Sequence, residues 1–388
     1  MEGILELNNT QTDSKNRKLA FCLFKYFPFG GLQRDFIRIA KVCIRRGYRV
    51  DAYAGSWEGD IPEGIKVTRL PMDGMTNHRR YKSFAANLAR KVAGQSYAAV
   101  VGFNKMPGLD VYYAADTSFT AKALRRSVLY RMTGRSRAMV QLERAVFDRK
   151  AKTQILLITE KEKAFYMNHY KTAEERFHFL PPGISRDRLR PDNAREVRRK
   201  LRATLGIGDD QKVLLIMGTG FRTKGLDRAI RALAALPEKL RDKTILLVVG
   251  DNDTTEPFKR IARKKSVASR VWFLGGRNDV PQLLVAADLL IHPAYQENTG
   301  TVLIEAMAAE LPVLATDVCG YAFHVVRAKA GLVVPSPFVQ ERLNGMLLGM
   351  LTDENARQWS ENARRYIAET DVFSLPERAA NVIEGVIR

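Results

Sequence analysis

At 388 residues the chain is longer than one hydrophobic core comfortably fills, so two domains are expected. Its 63 Lys and Arg against 42 Asp and Glu leave a net charge of +21, which implies an anionic partner: nucleic acid, an acidic membrane surface or a phosphorylated substrate. No run approaches the roughly 18 apolar residues that cross a bilayer, and Cys22, Cys43 and Cys319 lack metal-ligand spacing, which fits packing roles in a reducing cytoplasm.

Met1 to Lys18 is polar, without the apolar core of a secretory signal, and is expected to be a disordered extension. Leu19 to Phe24 has the pattern of a buried strand. It ends in Lys25-Tyr26-Phe27-Pro28-Phe29-Gly30-Gly31, after which Leu32, Phe36, Ile39, Ala40 and Cys43 recur at helical spacing up to Gly47, a C-terminal stop. Gly30 and Gly31 let a ligand approach the backbone where a helix start favours an anion, although a plain turn has the same composition. Asp35 either faces a crevice or favours the first helical turn electrostatically.

Arg49 to Ala54 and Lys66 to Leu70 read as further strands. Between Met75 and Arg80, Asn77, His78, Arg79 and Arg80 form a basic loop suited to phosphates or simply to water. Another buried strand, Ala98 to Gly102, leads into Phe103-Asn104-Lys105-Met106-Pro107-Gly108, and the apolar run from Val111 closes on Asp116. From Phe119 to Lys150 the chain is basic and amphipathic. Lys122, Arg125, Arg126, Arg131, Arg135 and Arg137 alternate with Leu124, Leu129, Tyr130 and Met132, which suits helices with one face packed and one edge on an anionic bilayer. No nucleic-acid recognition motif accompanies these charges. After the strand Ile155 to Thr159 and a helix ending at Tyr170, Pro181-Pro182-Gly183 breaks the pattern, and residues 181–193 read as an interdomain linker.

The second half restarts the same grammar. Val213 to Met217 is a strand, and Gly218-Thr219-Gly220-Phe221-Arg222-Thr223-Lys224-Gly225 opens a helix, so that Arg222 and Lys224 make a diphosphate clamp. Strands follow at Ile245 to Gly250 and Val271 to Leu274, the latter leading to Gly275-Gly276-Arg277. Ala287 to Ile291 is a buried strand, and Val302, Leu303, Ala306, Met307 and Ala309 repeat helically after it, so a helix is expected to start near Asn298 or Thr299. Asn298, Thr299, Gly300, Thr301 and Val302 would then turn backbone N–H groups toward a diphosphate, with Glu297 in the loop and Glu305 about two turns into the helix. Leu311 to Thr316 and Gly331 to Val334 are final strands, and Ser360 to Thr370 and Val372 to Ile387 are helical. Alternating strands and helices in both halves imply two doubly wound parallel α/β sheets with ligands at the carboxyl ends of the strands.

Glu297-x7-Glu305 at a strand-to-helix junction, with Lys224-Gly225 and the Gly30-Gly31 loop, resembles the retaining glycosyltransferases of the GT-B fold, glycosyltransferase family 4. The strings Lys25 to Asp35, Val101 to Val111 and His292 to Tyr295 are similar to that family's lipopolysaccharide-core hexosyltransferases, and the resemblance runs from about Leu19 to the C-terminus. It implies two Rossmann-like domains facing across a cleft: 19–180 for acceptor and membrane, with helix 372–388 returning to it, and 194–371 for the nucleotide-sugar donor. It further implies a UDP-hexose donor, glucose by resemblance alone, and a heptose on a lipid A-linked core at the cytoplasmic face of the inner membrane. In this pattern Lys224 and Arg222 hold the diphosphate, Arg277 lies in the loop that frames the uracil, Glu297 grips the sugar and Glu305 the ribose. Asp35, Asn104 and Lys105 border the acceptor. Asp116 stands where many relatives carry a crevice His, as acceptor base or sugar ligand. No His and carboxylate cluster has metal-ligand spacing, so cationic side chains are expected in place of a metal, and no cofactor beyond the donor is implied.

Overall fold

The computed structural model describes residues 18–28, 30–250, 254–353 and 356–387. Of the extension expected over residues 1–18, residues 1–17 lie outside them, as does the loop residue Phe29, whereas Lys18 is the first residue of a strand and not part of an extension. The chain divides into two compact units. One takes the chain up to Leu180 together with the segment from Leu375, and the other is Pro181–Ser374.

The first unit holds seven strands: β1 (Lys18–Tyr26), β2 (Arg49–Trp57), β3 (Ile65–Arg69), β4 (Ala99–Gly102), β5 (Val111–Ala114), β6 (Gln154–Leu157) and β7 (Phe177–Phe179). They form one parallel sheet in the order β3-β2-β1-β4-β5-β6-β7. Strand β1 shows why the sheet must be covered on both sides. Leu19, Phe21 and Leu23 feed one core and Ala20, Cys22 and Phe24 the other, all nearly inaccessible to solvent. The three-residue β7 is too short to show a period, and the sequence reading ended the domain's strands before it. The helix Leu375–Gly385 buries Leu375, Ala379, Ala380 and Ile383 beside the helix Gly31–Arg45, each larger apolar side chain contributing about 1.5–3 kcal/mol. That outweighs the half-exposed Arg46–Glu384 pair at 2.6 Å, a type worth about 1 kcal/mol or less.

The second unit holds β8 (Lys212–Met217), β9 (Thr244–Val249), β10 (Val271–Gly275), β11 (Leu289–His292), β12 (Val313–Thr316) and β13 (Gly331–Val334), parallel in the order β10-β9-β8-β11-β12-β13. Val213, Leu215 and Met217 face one core while Leu214 and Ile216 face the other. Residues 181–193, expected as a linker, pack onto this unit: Ile184 is buried in its core, and the Arg190 N–H donates to Ala308 O at 3.0 Å. Strand order reverses between β1 and β4 in one unit and between β8 and β11 in the other. The loops leaving those strands therefore splay apart and open a crevice in each sheet.

Candidate active site

In the second unit the two loops at the switch point are locked to each other. Gly225 caps the helix Leu226–Ala234 in a left-handed conformation, φ 76°, and a Cβ there would stand 2.0 Å from Pro293 O. Only glycine lets the turn after β8 come this close to the loop after β11. The Tyr295 N–H donates to Thr223 O at 2.8 Å, and the Tyr295 hydroxyl donates to Asp227 Oδ2 at 2.9 Å. Beneath the loop, the buried Arg228 guanidinium lies between the rings of Tyr295 and Phe338, 3.5 Å from each centroid, and donates to Pro293 O and Ala294 O at 3.1 and 3.0 Å. Sequence reasoning passed over Arg228; its spacing of four from Lys224 was the available signal.

Braced in this way, the loop presents Glu297. Lys224 Nζ pairs with Glu297 Oε2, and His292 Nε2 lies 3.3 Å from the same oxygen. Burial pushes the Glu297 carboxyl up, but the His292 hydrogen bond and the Lys224 charge more than offset it and hold the carboxyl down to about 2. Lys224 and Glu297, expected to act on different parts of a donor, are thus each other's partners in this structure. Arg222 is exposed on the same turn.

The helix expected near Asn298 or Thr299 begins later. Gly300 is its cap, φ 80°, and the helix is Thr301–Ala308, so Thr301 and Val302 supply its first N–H groups and Glu305 stands about one turn in, not two. Asn298 and Thr299 remain in the loop because the Tyr321 N–H, from the segment after β12, takes Thr299 O at 2.7 Å. Glu305 is buried, with Oε1 3.6 Å from Nε of Arg188 in the segment expected as a linker. Arg277 forks onto Asp279, the cap of the helix Val280–Ala286, at 2.8 and 2.5 Å, which gives its guanidinium a local partner besides any base.

In the first unit, Gly30 caps the helix Gly31–Arg45. Asp35 is neither in the first turn nor open to solvent: it is buried and accepts from the Tyr113 hydroxyl at 2.7 Å, tying that helix to β5. Asn104 Oδ1 accepts from the Phe24 N–H at 2.7 Å and so anchors its loop to β1. Lys105 is drawn inward, where Nζ donates to Thr117 O at 2.9 Å and to Glu143 Oε2 at 2.7 Å. Glu143 is fully buried and also accepts from the Ser118 hydroxyl, the Phe119 and Thr120 N–H groups and the Tyr170 hydroxyl. Burial pushes its carboxyl up, and the Lys105 charge with these donors carries it below the ordinary carboxylate range. Of the four residues expected at the acceptor, Asp35, Asn104 and Lys105 each hold a partner within this unit, while Asp116 is exposed beyond the carboxyl end of β5. His78, Arg79 and Arg80 belong to the first turn of the helix Asn77–Ala93, not to a loop.

The basic stretch forms three helices, Phe119–Leu124, Val128–Met132 and Gly134–Phe147. Leu142, Val146 and Phe147 are core, whereas Leu124, Val128, Leu129 and Met132 are exposed, Leu129 by 79%. Lys122, Arg125, Arg126, Arg131, Arg135 and Arg137 are exposed on the same helices and their junctions.

Residues 197–366 match the family model described as "Glycosyl transferases group 1". The chain is 48% identical over 369 residues to the lipopolysaccharide glucosyltransferase WaaG of Escherichia coli K12, covering 95% of this chain and 98% of that protein. The crystal structure of WaaG, a glycosyltransferase involved in lipopolysaccharide biosynthesis, superposes with a TM-score of 0.90 at 47% identity over 95% of this chain and 100% of the other. Alr3699/HepE of Anabaena, solved with UDP and glucose, shares the fold at a TM-score of 0.74 and 20% identity over 95% of this chain and 100% of its own.

Proposed function

The chain belongs to the group 1 glycosyl transferases, and on that footing we propose that it moves glucose from UDP-glucose, with retention of configuration, onto a heptose of the lipopolysaccharide inner core. The observation that carries this reading is the 48% identity, over 95% of this chain, to a lipopolysaccharide glucosyltransferase. In it, Lys224, Arg222 and the N–H groups of Thr301 and Val302 neutralise the departing diphosphate, where the largest charge develops. Lys224, paired with Glu297 in this structure, turns its ammonium to the diphosphate when the donor binds. Glu297 accepts from the sugar hydroxyls and Glu305 from the ribose. Asp116 receives the proton of the acceptor hydroxyl, or orients that hydroxyl. Charge neutralisation by Lys224 and Arg222 makes a metal dispensable in this reading, so a chelator should leave the rate unchanged. Exposed Leu129 and Met132 among exposed Arg and Lys support attachment to an anionic bilayer, where a lipid-linked acceptor resides.

The test is a donor screen: UDP-glucose, UDP-galactose and both UDP-N-acetylhexosamines offered with heptose-terminated core lipopolysaccharide. Transfer from UDP-glucose with retained anomeric configuration is expected. Transfer from another donor instead would overturn the sugar assignment, and failure to bind UDP would overturn the whole reading. Lys224→Ala and Glu305→Ala should each abolish transfer in a protein that remains folded by circular dichroism.

A further inference from the structure

His292 ends β11, held by backbone pairing to Ala315 of β12, and its side chain is fully buried. Its Nε2 lies 3.3 Å from Glu297 Oε2, and Nδ1 is buried with no hydrogen-bond partner among the described residues. A proton on Nδ1 would be stranded there, so the proton belongs on Nε2, the nitrogen that faces the carboxylate. Both contacts to Glu297, from Lys224 and from His292, converge on Oε2, which leaves Oε1 for a hydroxyl of the ligand.

The two partners differ in mobility. Lys224 carries its charge on a flexible four-carbon stem, side chain 20% exposed, and an arriving diphosphate competes for it. His292 is fixed by its strand. We propose that His292 is a positioning residue: it keeps the Glu297 carboxylate aimed while Lys224 turns to the diphosphate. The proposal rests on the donor-site reading above. A histidine that only fills space at a strand end would make no such contribution, and substitution separates the two roles.

The experiment compares full-length wild type with His292→Leu and His292→Gln, since a Gln amide N–H reaches about where Nε2–H lies. The Leu variant should lose at least about tenfold in kcat with the UDP Kd within about twofold of wild type, and the Gln variant should recover most of that loss. Wild-type kcat in the Leu variant would overturn the proposal. So would equal kcat losses in both variants that follow their fall in Tm, which is the space-filling outcome. A readout that needs no turnover is the ¹⁵N spectrum of the His292 imidazole, which should show the Nε2–H form with and without UDP and shift on Glu297→Gln. An Nδ1–H form would overturn the proposal even in an active enzyme. An Nε2–H form in a protein that neither binds UDP nor transfers sugar would instead remove the donor-site reading.

Discussion

Glu297 is a partly buried acid kept ionised by two neighbours, and its stability effect has a definite sign. Its carboxyl is held near 2 against an ordinary 4.5, so the native state gains stability that is complete above about pH 4.5 and drains away as pH falls toward 2. The size is on the order of 3 kcal/mol. Urea unfolding of wild type and Glu297→Gln should therefore show a constant gap from pH 7 to about 5, with wild type the more stable, and the gap should narrow below that. A gap that widens on acidification would contradict the arrangement of Lys224 and His292 around this carboxylate. Arg228 is the second decisive residue. Arg228→Ala strands two loop carbonyls and empties the space between two rings, so a loss of about 3 kcal/mol is expected by thermal unfolding, together with a fall in kcat as Glu297 loses its support. Retained kcat in Arg228→Ala would show that the loop needs no brace.

Among the elements, the helix starts are where the proposed function places the diphosphate, and their glycines are not equivalent. Gly225 has φ 76° and no room for a Cβ, so Gly225→Ala should cost at least the roughly 1–2 kcal/mol of left-handed strain and more from displacing Pro293. At Gly31 the φ is not in the left-handed region and a Cβ meets nothing within 4 Å. Gly31→Ala should therefore leave stability unchanged or raise it by up to about 1 kcal/mol, while weakening the ligand that approaches this backbone. Unfolding midpoints and UDP-sugar KM values for the two variants separate the cases. A Gly31→Ala protein with unchanged KM would make that turn a mere connection. The partly buried Lys105–Glu143 pair plays a quieter part, fixing the loop that carries Asp116 against the helix Gly134–Phe147.

For the molecule as a whole, the excess of 63 cations over 42 anions is spread over many exposed side chains, and the helices from Phe119 to Phe147 combine it with a run of exposed apolar residues: Leu124, Val128, Leu129 and Met132. Cosedimentation with vesicles containing anionic lipid should be strong at low salt and weaken as the Debye length shortens from about 10 Å at 0.1 M to about 3 Å at 1 M. Leu129→Asp with Met132→Asp should reduce it severalfold while leaving transfer to a detergent-dispersed acceptor intact. Equal binding to neutral vesicles would remove the electrostatic part of this reading.

The amino-acid sequence alone determined the two parallel α/β units, nearly every strand, and the turns that carry Lys224 and Glu297. These are local properties: runs of Val, Ile and Leu buried on both faces, glycines where helices begin, and a helical period after each. Tertiary structure alone decided which polar groups pair with one another. Asp35 is taken by Tyr113, 78 positions away, Lys105 by Glu143, 38 positions away, and Lys224 by Glu297, 73 positions away. Such pairings leave no periodic trace in the chain, because a hydrogen bond depends on where two strands end and not on what lies between them. His292 was in plain view in its motif; only the burial of its ring and the direction of Nε2 gave it a task.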